Sequence, residues 1–158
     1  MEEQTEKSSE PPPEPSVTIQ SACAVDIAWI EAKVKESVAV LNKPQSEISI
    51  RIVNDDVMSA MHLEHSGVEG TTDVLTFDNG GDNNTIDADI AVCVDVAKRT
   101  INACSHSVES ELLLYIIHGL LHCIGYDDHN EEDHKKMHEE EDRILQEIGV
   151  GAIWSDGS

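Results

Sequence analysis

The stretch that most constrains this chain is residues 111–129, ELLLYIIHGLLHCIGYDDH. Leu112, Leu113, Leu114, Ile116, Ile117, Leu120 and Leu121 leave a helix here no polar face, so it belongs in a core with other elements on every side. Yet three histidines, His118, His122 and His129, stand in it or just beyond it. His118 and His122 are four residues apart, and on a helix both imidazoles leave the same face. Gly125 marks where the helix ends and the chain turns. That turn can carry His129 back towards the first two. Polar rings on a buried helix need partners. A metal ion serves all three at once, and three protein nitrogens with one open position form the pattern of a catalytic zinc site.

His129 is the candidate for the third corner, because imidazole is a soft ligand and the Asp-rich turn can flex. Asp127 or Asp128 is placed to orient a ligating histidine through its second ring nitrogen. Zinc, one per chain, is the metal this donor set favours, while nickel and copper accept the same donors. Zinc peptidases of the HExxH kind place their general base beside the first histidine. Here that position is Gly119, which excludes their mechanism, and no other residue stands out as a general base.

The remaining pattern describes what encloses the helix. The length of 158 residues suits one domain. Residues 1–15 are acidic and Pro-rich with nothing to bury, so they read as a disordered tail. The folded domain runs over residues 16–149, and residues 150–158 form a C-terminal tail that frays from Gly149. A short strand covers residues 16–20. Asp26, or a residue just before it, caps a helix to about Leu41 on which Ile27, Ile30, Val34, Val38 and Leu41 recur at helical spacing. Residues 47–53, EISIRIV, alternate as a half-exposed strand, and Asn54 or Asp55 caps a short helix. Residues 72–77 and 86–94 are strands on either side of the loop DNGGDNNT and pair as an antiparallel hairpin. Asp95 caps the next helix. The histidine helix follows, then a charged closing helix over 131–148 with Met137, Ile144, Leu145 and Ile148 inward. The order β-α-β-α-β-β-α-α-α gives an α/β (α+β) fold, a small mixed sheet of about four strands covered by helices.

Cys23, Cys93, Cys104 and Cys123 form no CxxC pair, and three of them sit in apolar surroundings as small core residues. With no signal peptide and no membrane span in the pattern, a reduced cytoplasmic protein is expected.

HGLLHCIGYDDH, together with TDVLTF at residues 72–77 and DADIAVCVDVAKR at residues 87–99, resembles the YbeY family. These are bacterial metal-dependent endoribonucleases linked to ribosomal RNA maturation. The resemblance spans residues 45–148 closely and 16–44 more loosely. It implies a zinc-dependent, single-strand-specific endoribonuclease, with the metal cleft beside residues 72–77. The family's three metal-binding histidines map onto His118, His122 and His129. It also implies ribosomal RNA, small-ribosomal-subunit components and an Era-type GTPase as partners.

Two positions depart from the family. Its usual GYDH is GYDDH here, which puts Asp128 at the customary offset of the third histidine and makes it the alternative to His129 as third ligand, since carboxylate oxygen is also a zinc ligand. The Arg usually found six residues ahead of TDVLTF is Ser66, and serine cannot grip a phosphate as a guanidinium does. His62 and His65 lie nearby and read as a solvated helix end. Ten Lys and Arg face 32 Asp and Glu, a net charge of −22, which excludes a broad phosphate-binding surface. Lys98 and Arg99 are the expected RNA contacts, with Lys33, Lys35 and the metal lining the same groove. A second reading is a ribosome-associated binding or assembly factor whose metal is a structural staple. A third is a zinc hydrolase acting on something other than RNA.

Overall fold

A computed structural model of the chain describes residues 14–82, 85–101 and 106–153. Most of the expected N-terminal tail, Cys104 and the last residues of the C-terminal tail lie outside that set. The elements are β1 (Ser16–Ser21), α1 (Ile27–Val40), β2 (Glu47–Val53), α2 (Asp55–Ser66), β3 (Val74–Asp78), β4 (Asp87–Cys93), α3 (Val94–Ile101), α4 (Val108–Cys123) and α5 (Glu131–Glu147). Their order is the one the sequence pattern gives.

The sheet runs β1-β2-β4-β3. β1 pairs parallel with β2, and β2 parallel with β4. β3 returns antiparallel on the free side of β4, with Thr76 opposite Ile90. Alternation along the strands divides the interior in two. Ile48, Ile50, Ile52, Ala88, Ile90 and Val92 face the main core, where they meet Ile30, Val34 and Val38 of α1 and the apolar residues of α4. Val53, Leu75, Ala91 and Cys93 face the other side and form a smaller core with Met58 of α2.

Helix ends follow local chemistry. Asp26, Asn54, Ser107 and Asn130 each accept a backbone N–H from the first turn of α1, α2, α4 and α5, as N-caps do. Asp95 departs from expectation. It lies inside the first turn of α3, and its Oδ2 accepts from the backbone N–H of Asp55, 2.9 Å away. It therefore ties α3 to the start of α2. The expected fraying does not begin at Gly149. The N–H of Val150 donates to the Leu145 carbonyl and that of Ile153 to Oδ1 of Asp142, and both side chains pack against the main core.

α4 is the central element. Leu112, Leu113, Ile116, Ile117, Leu120 and Leu121 are all fully buried. The helix contacts β3, β4, α1, α3 and α5, as a helix with no polar face must. Its approach to the sheet is close at Gly119, where a Cβ would stand 2.5 Å from Oγ1 of Thr76 and 3.3 Å from Cδ1 of Ile90. The glycine between the two histidines thus sets how near they lie to β3.

Substitution Gly119→Ala is expected to destabilise the protein. Overpacking costs about 1–3 kcal/mol, and the gain in helix propensity returns only about 1 kcal/mol. A lowered midpoint in denaturant unfolding is the expected outcome; an unchanged or raised midpoint would show that α4 can move off β3 freely.

Candidate metal centre

His118 and His122 leave α4 on one side, as their spacing predicts. Their Nε2 atoms stand 3.0 Å apart, with ring centroids separated by 4.6 Å and planes nearly perpendicular. What each ring does with its other nitrogen decides the chemistry. Nδ1 of His118 lies 2.6 Å from Oε2 of Glu141, and Nδ1 of His122 lies 3.0 Å from the carbonyl oxygen of Tyr126. A carboxylate and a carbonyl only accept, so both Nδ1 atoms carry the proton and donate. Both Nε2 atoms of the neutral rings then turn lone pairs towards each other. Two lone pairs at that distance repel unless a proton or a cation stands between them.

A third donor is at hand. Oδ2 of Asp128 is 3.7 Å from Nε2 of His118. One ligand atom from each of His118, His122 and Asp128 falls within 4.8 Å of the others. Two imidazoles and a carboxylate are a donor set that zinc accepts, and their convergence fits a divalent metal.

The turn after α4 explains which residue arrives. The Gly125 N–H donates to the His122 carbonyl and the Tyr126 N–H to the Leu121 carbonyl. This is the Schellman arrangement that ends a helix. It requires a left-handed residue, and Gly125 has φ of 107°. The same turn aims the Tyr126 carbonyl at His122. Asp127 and Asp128 follow, and Asn130 already caps α5. His129 is therefore the last residue before a new helix. Its side chain is 78% exposed, and its nearest charged neighbour is Asp127 at 3.6 Å. The expected third ligand His129 is not brought to the pair; Asp128 is. Asp127 lies beside His129 and orients neither ring of the pair.

Glu141 is the residue that sequence reasoning missed. It sits on α5 with its side chain 1% exposed, and its two oxygens take Nδ1–H of His118 and, at 2.9 Å, of His138. Burial disfavours the charged form of His118, but the Glu141 hydrogen bond and charge, helped by Asp128, outweigh it and raise its pKa above the usual 6.5. The signal was legible: Met137, Glu141, Ile144 and Leu145 share one helical stripe, and a carboxylate on an inward stripe needs an interior partner.

The pair opens onto two clefts. One, of about 320 Å³, runs between His118, His122, Asp73 and the strand residues Val74 and Thr76, beside β3 as expected. The other, of about 650 Å³, includes His118, Asp128 and Glu141 with Arg99, Glu111 and Tyr115. The expected basic groove is not assembled. Lys33 donates to the Ile148 carbonyl and pairs with Glu36. Lys35 pairs with Glu31. Arg99 reaches the larger cleft but holds both oxygens of Asp55, at 2.7 and 3.0 Å, and Lys98 lines neither cleft. Ser66 donates its hydroxyl to the His62 carbonyl. His62 binds the Gly70 carbonyl and His65 stacks edge-on against Phe77, so neither ring replaces a cation in these clefts.

An α/β layer around a two-histidine helix, with a carboxylate at the mouth of a cleft, is compatible with a metal site. Residues 17–149 match the family model described as Endoribonuclease YbeY, and the chain belongs to the YbeY family. An Endoribonuclease YbeY of Shouchella clausii is 32% identical over 120 residues, 68% of this chain and 75% of that protein. One of Staphylococcus epidermidis is 31% identical over 144 residues, 80% of this chain and 90% of that protein. A solution structure of a Thermotoga maritima protein shares the fold, with a TM-score of 0.62 at 24% identity, covering 84% of this chain and 88% of that one.

Two titrations test these electrostatics. In metal-free protein, Glu141→Gln should lower the His118 pKa in an NMR titration, and zinc affinity should fall about 10–100-fold; a His118 pKa that does not move would remove Glu141 from its role. Arg99 holds Asp55 at about 2, below its ordinary 3.8. A depressed carboxyl stabilises the fold above its unfolded pKa and loses that contribution as pH falls through the folded value. Arg99→Ala should return the Asp55 pKa towards 3.8 and flatten the loss of stability between those two values.

Proposed function

We propose that this chain is a zinc-dependent endoribonuclease that cuts single-stranded ribosomal RNA during ribosome maturation in the cytoplasm, with one tightly held zinc at His118, His122 and Asp128. The observation that carries this reading is the pair of facing Nε2 lone pairs beside a carboxylate, at the mouth of an open cleft, in a chain of an endoribonuclease family. A divalent metal held there supplies Lewis acidity for cleavage of a phosphate ester.

The chain's own groups do the rest. Glu141 keeps the His118 proton on Nδ1 and leaves Nε2 free to ligate. The Tyr126 carbonyl does the same for His122. Carboxylates and carbonyls behind ligating imidazoles fix their tautomer and raise their basicity. Thr76 and Val74 form the strand wall against which a single strand would lie. Arg99 is the one Lys or Arg among the described residues that line the larger cleft. It supports a single phosphate contact while Asp55 fixes its plane. By the family resemblance, small-subunit components and an Era-type GTPase are the partners.

The poverty of cations around the clefts supports the second reading, a ribosome-associated assembly factor whose metal staples α4 to the turn before α5. In that case metal is retained and cleavage is absent.

Zinc retained through gel filtration, measured on wild type, His118→Ala, Asp128→Ala and His129→Ala beside a ribosomal RNA cleavage assay, separates these outcomes. Zinc and cleavage should both vanish with His118→Ala, fall sharply with Asp128→Ala and survive His129→Ala. Zinc without cleavage in the wild type favours the assembly factor. Loss of zinc on His129→Ala alone would restore His129 as the third ligand.

A further inference from the structure

A second pair of imidazoles stands on α5, joined to the first through Glu141. His134 and His138 are also four residues apart. Their Nε2 atoms are 2.8 Å apart, with ring centroids at 4.0 Å and planes at 73°. The corresponding values for His118 and His122 are 3.0 Å, 4.6 Å and 84°. Two helices therefore present the same chelating geometry.

One ring of the second pair has the same support behind it. Oε1 of the buried Glu141 lies 2.9 Å from Nδ1 of His138, while Oε2 serves His118. His138 must donate through Nδ1, so its Nε2 turns a lone pair towards His134. A carboxylate behind an imidazole makes it a better ligand. Both rings line the larger cleft. His134 is exposed, so a hydrated ion reaches the pair directly from solvent.

We propose that His134 and His138 form a second site for a late first-row divalent ion, of the zinc, nickel and copper class. Imidazole nitrogens select these over magnesium and calcium, which prefer oxygen. In the metal-free chain His134 donates its Nε2 proton to His138. When the ion takes up Nε2 of His134, the ring's single proton moves to Nδ1, so both rings bind as neutral imidazoles. Among the described residues, the cluster that could hold a metal with three side chains is the one at His118, His122 and Asp128. The α5 pair adds two protein ligands among the described residues, with water completing the shell, so its ion is held more weakly than the first. The site requires no RNA cleavage and stands independently of the proposed function.

Titration of the full chain with zinc alone, followed by calorimetry, tests it. The wild type should take up two equivalents, the second weaker than the first. His134→Ala should lose the weaker equivalent and keep the tighter one. His118→Ala should lose the tighter one and keep the weaker. Glu141→Gln should weaken both, and magnesium should not occupy the α5 pair. A wild type that binds a single equivalent would overturn the proposal. So would a second equivalent that survives His134→Ala, since it would belong to the acidic surface instead.

Discussion

A helix without a polar face must be enclosed, and α4 is enclosed by strands and helices on every side. That burial is the constraint from which the rest follows. Each polar group that α4 carries inward has to find its partner in the protein. Glu111 meets Nε2 of His106 at 2.5 Å. His118 meets Glu141, and His122 meets the carbonyl of the turn that ends its own helix. These bonds fix both tautomers, and the fixed tautomers leave two lone pairs facing each other. The site is thus a by-product of satisfying a buried helix, refined by one carboxylate from α5. Removing that carboxylate would leave Nδ1–H of the half-buried His118 without its acceptor, and breaking such a pair costs more than the intact pair contributes.

The electrostatics of the surroundings run against the expected task. RNA binding draws on Lys and Arg, yet the clefts beside the histidines are lined by Asp73, Asp128, Glu111 and Glu141 with Arg99 as their lone guanidinium among the described residues. A cation in the centre changes this balance. It supplies positive charge where the side chains do not, and bound ions are often the largest local charge in such a site. Under the proposed function, occupancy of the centre and affinity for a phosphate would be linked.

Much of the architecture was legible because periodicity is a local signal. The apolar repeat of α1, the alternation EISIRIV in β2 and the paired runs of β3 and β4 each state an element and its buried face. The caps at Asp26 and Asn54 were legible for the same reason. Asp95 was misjudged because its carboxylate serves a distant N–H, that of Asp55, which no local pattern reveals. His129 was preferred on ligand type; it stands exposed beside Asp127, and Asp128 is the residue beside the pair. Between the Schellman turn at Gly125 and the cap at Asn130, Asp128 is the residue whose carboxylate falls beside the pair. Glu141 lay in plain view on an inward stripe, but its partner is on another helix. Contacts between elements were the part that composition and spacing did not carry, and the basic groove expected from Lys33, Lys35, Lys98 and Arg99 failed on the same ground.

The central claim is that α4 and the turn after it present two imidazoles and one carboxylate to a metal. Zinc-edge X-ray absorption on the His134→Ala protein, loaded with one equivalent of zinc, tests it most directly. Two imidazole nitrogens with oxygen donors completing the shell, all at about 2.0–2.2 Å, is the expected result. Three imidazoles on the zinc would place His129 in the site and contradict the assignment of Asp128, and a sulfur at about 2.3 Å would contradict the donor set altogether.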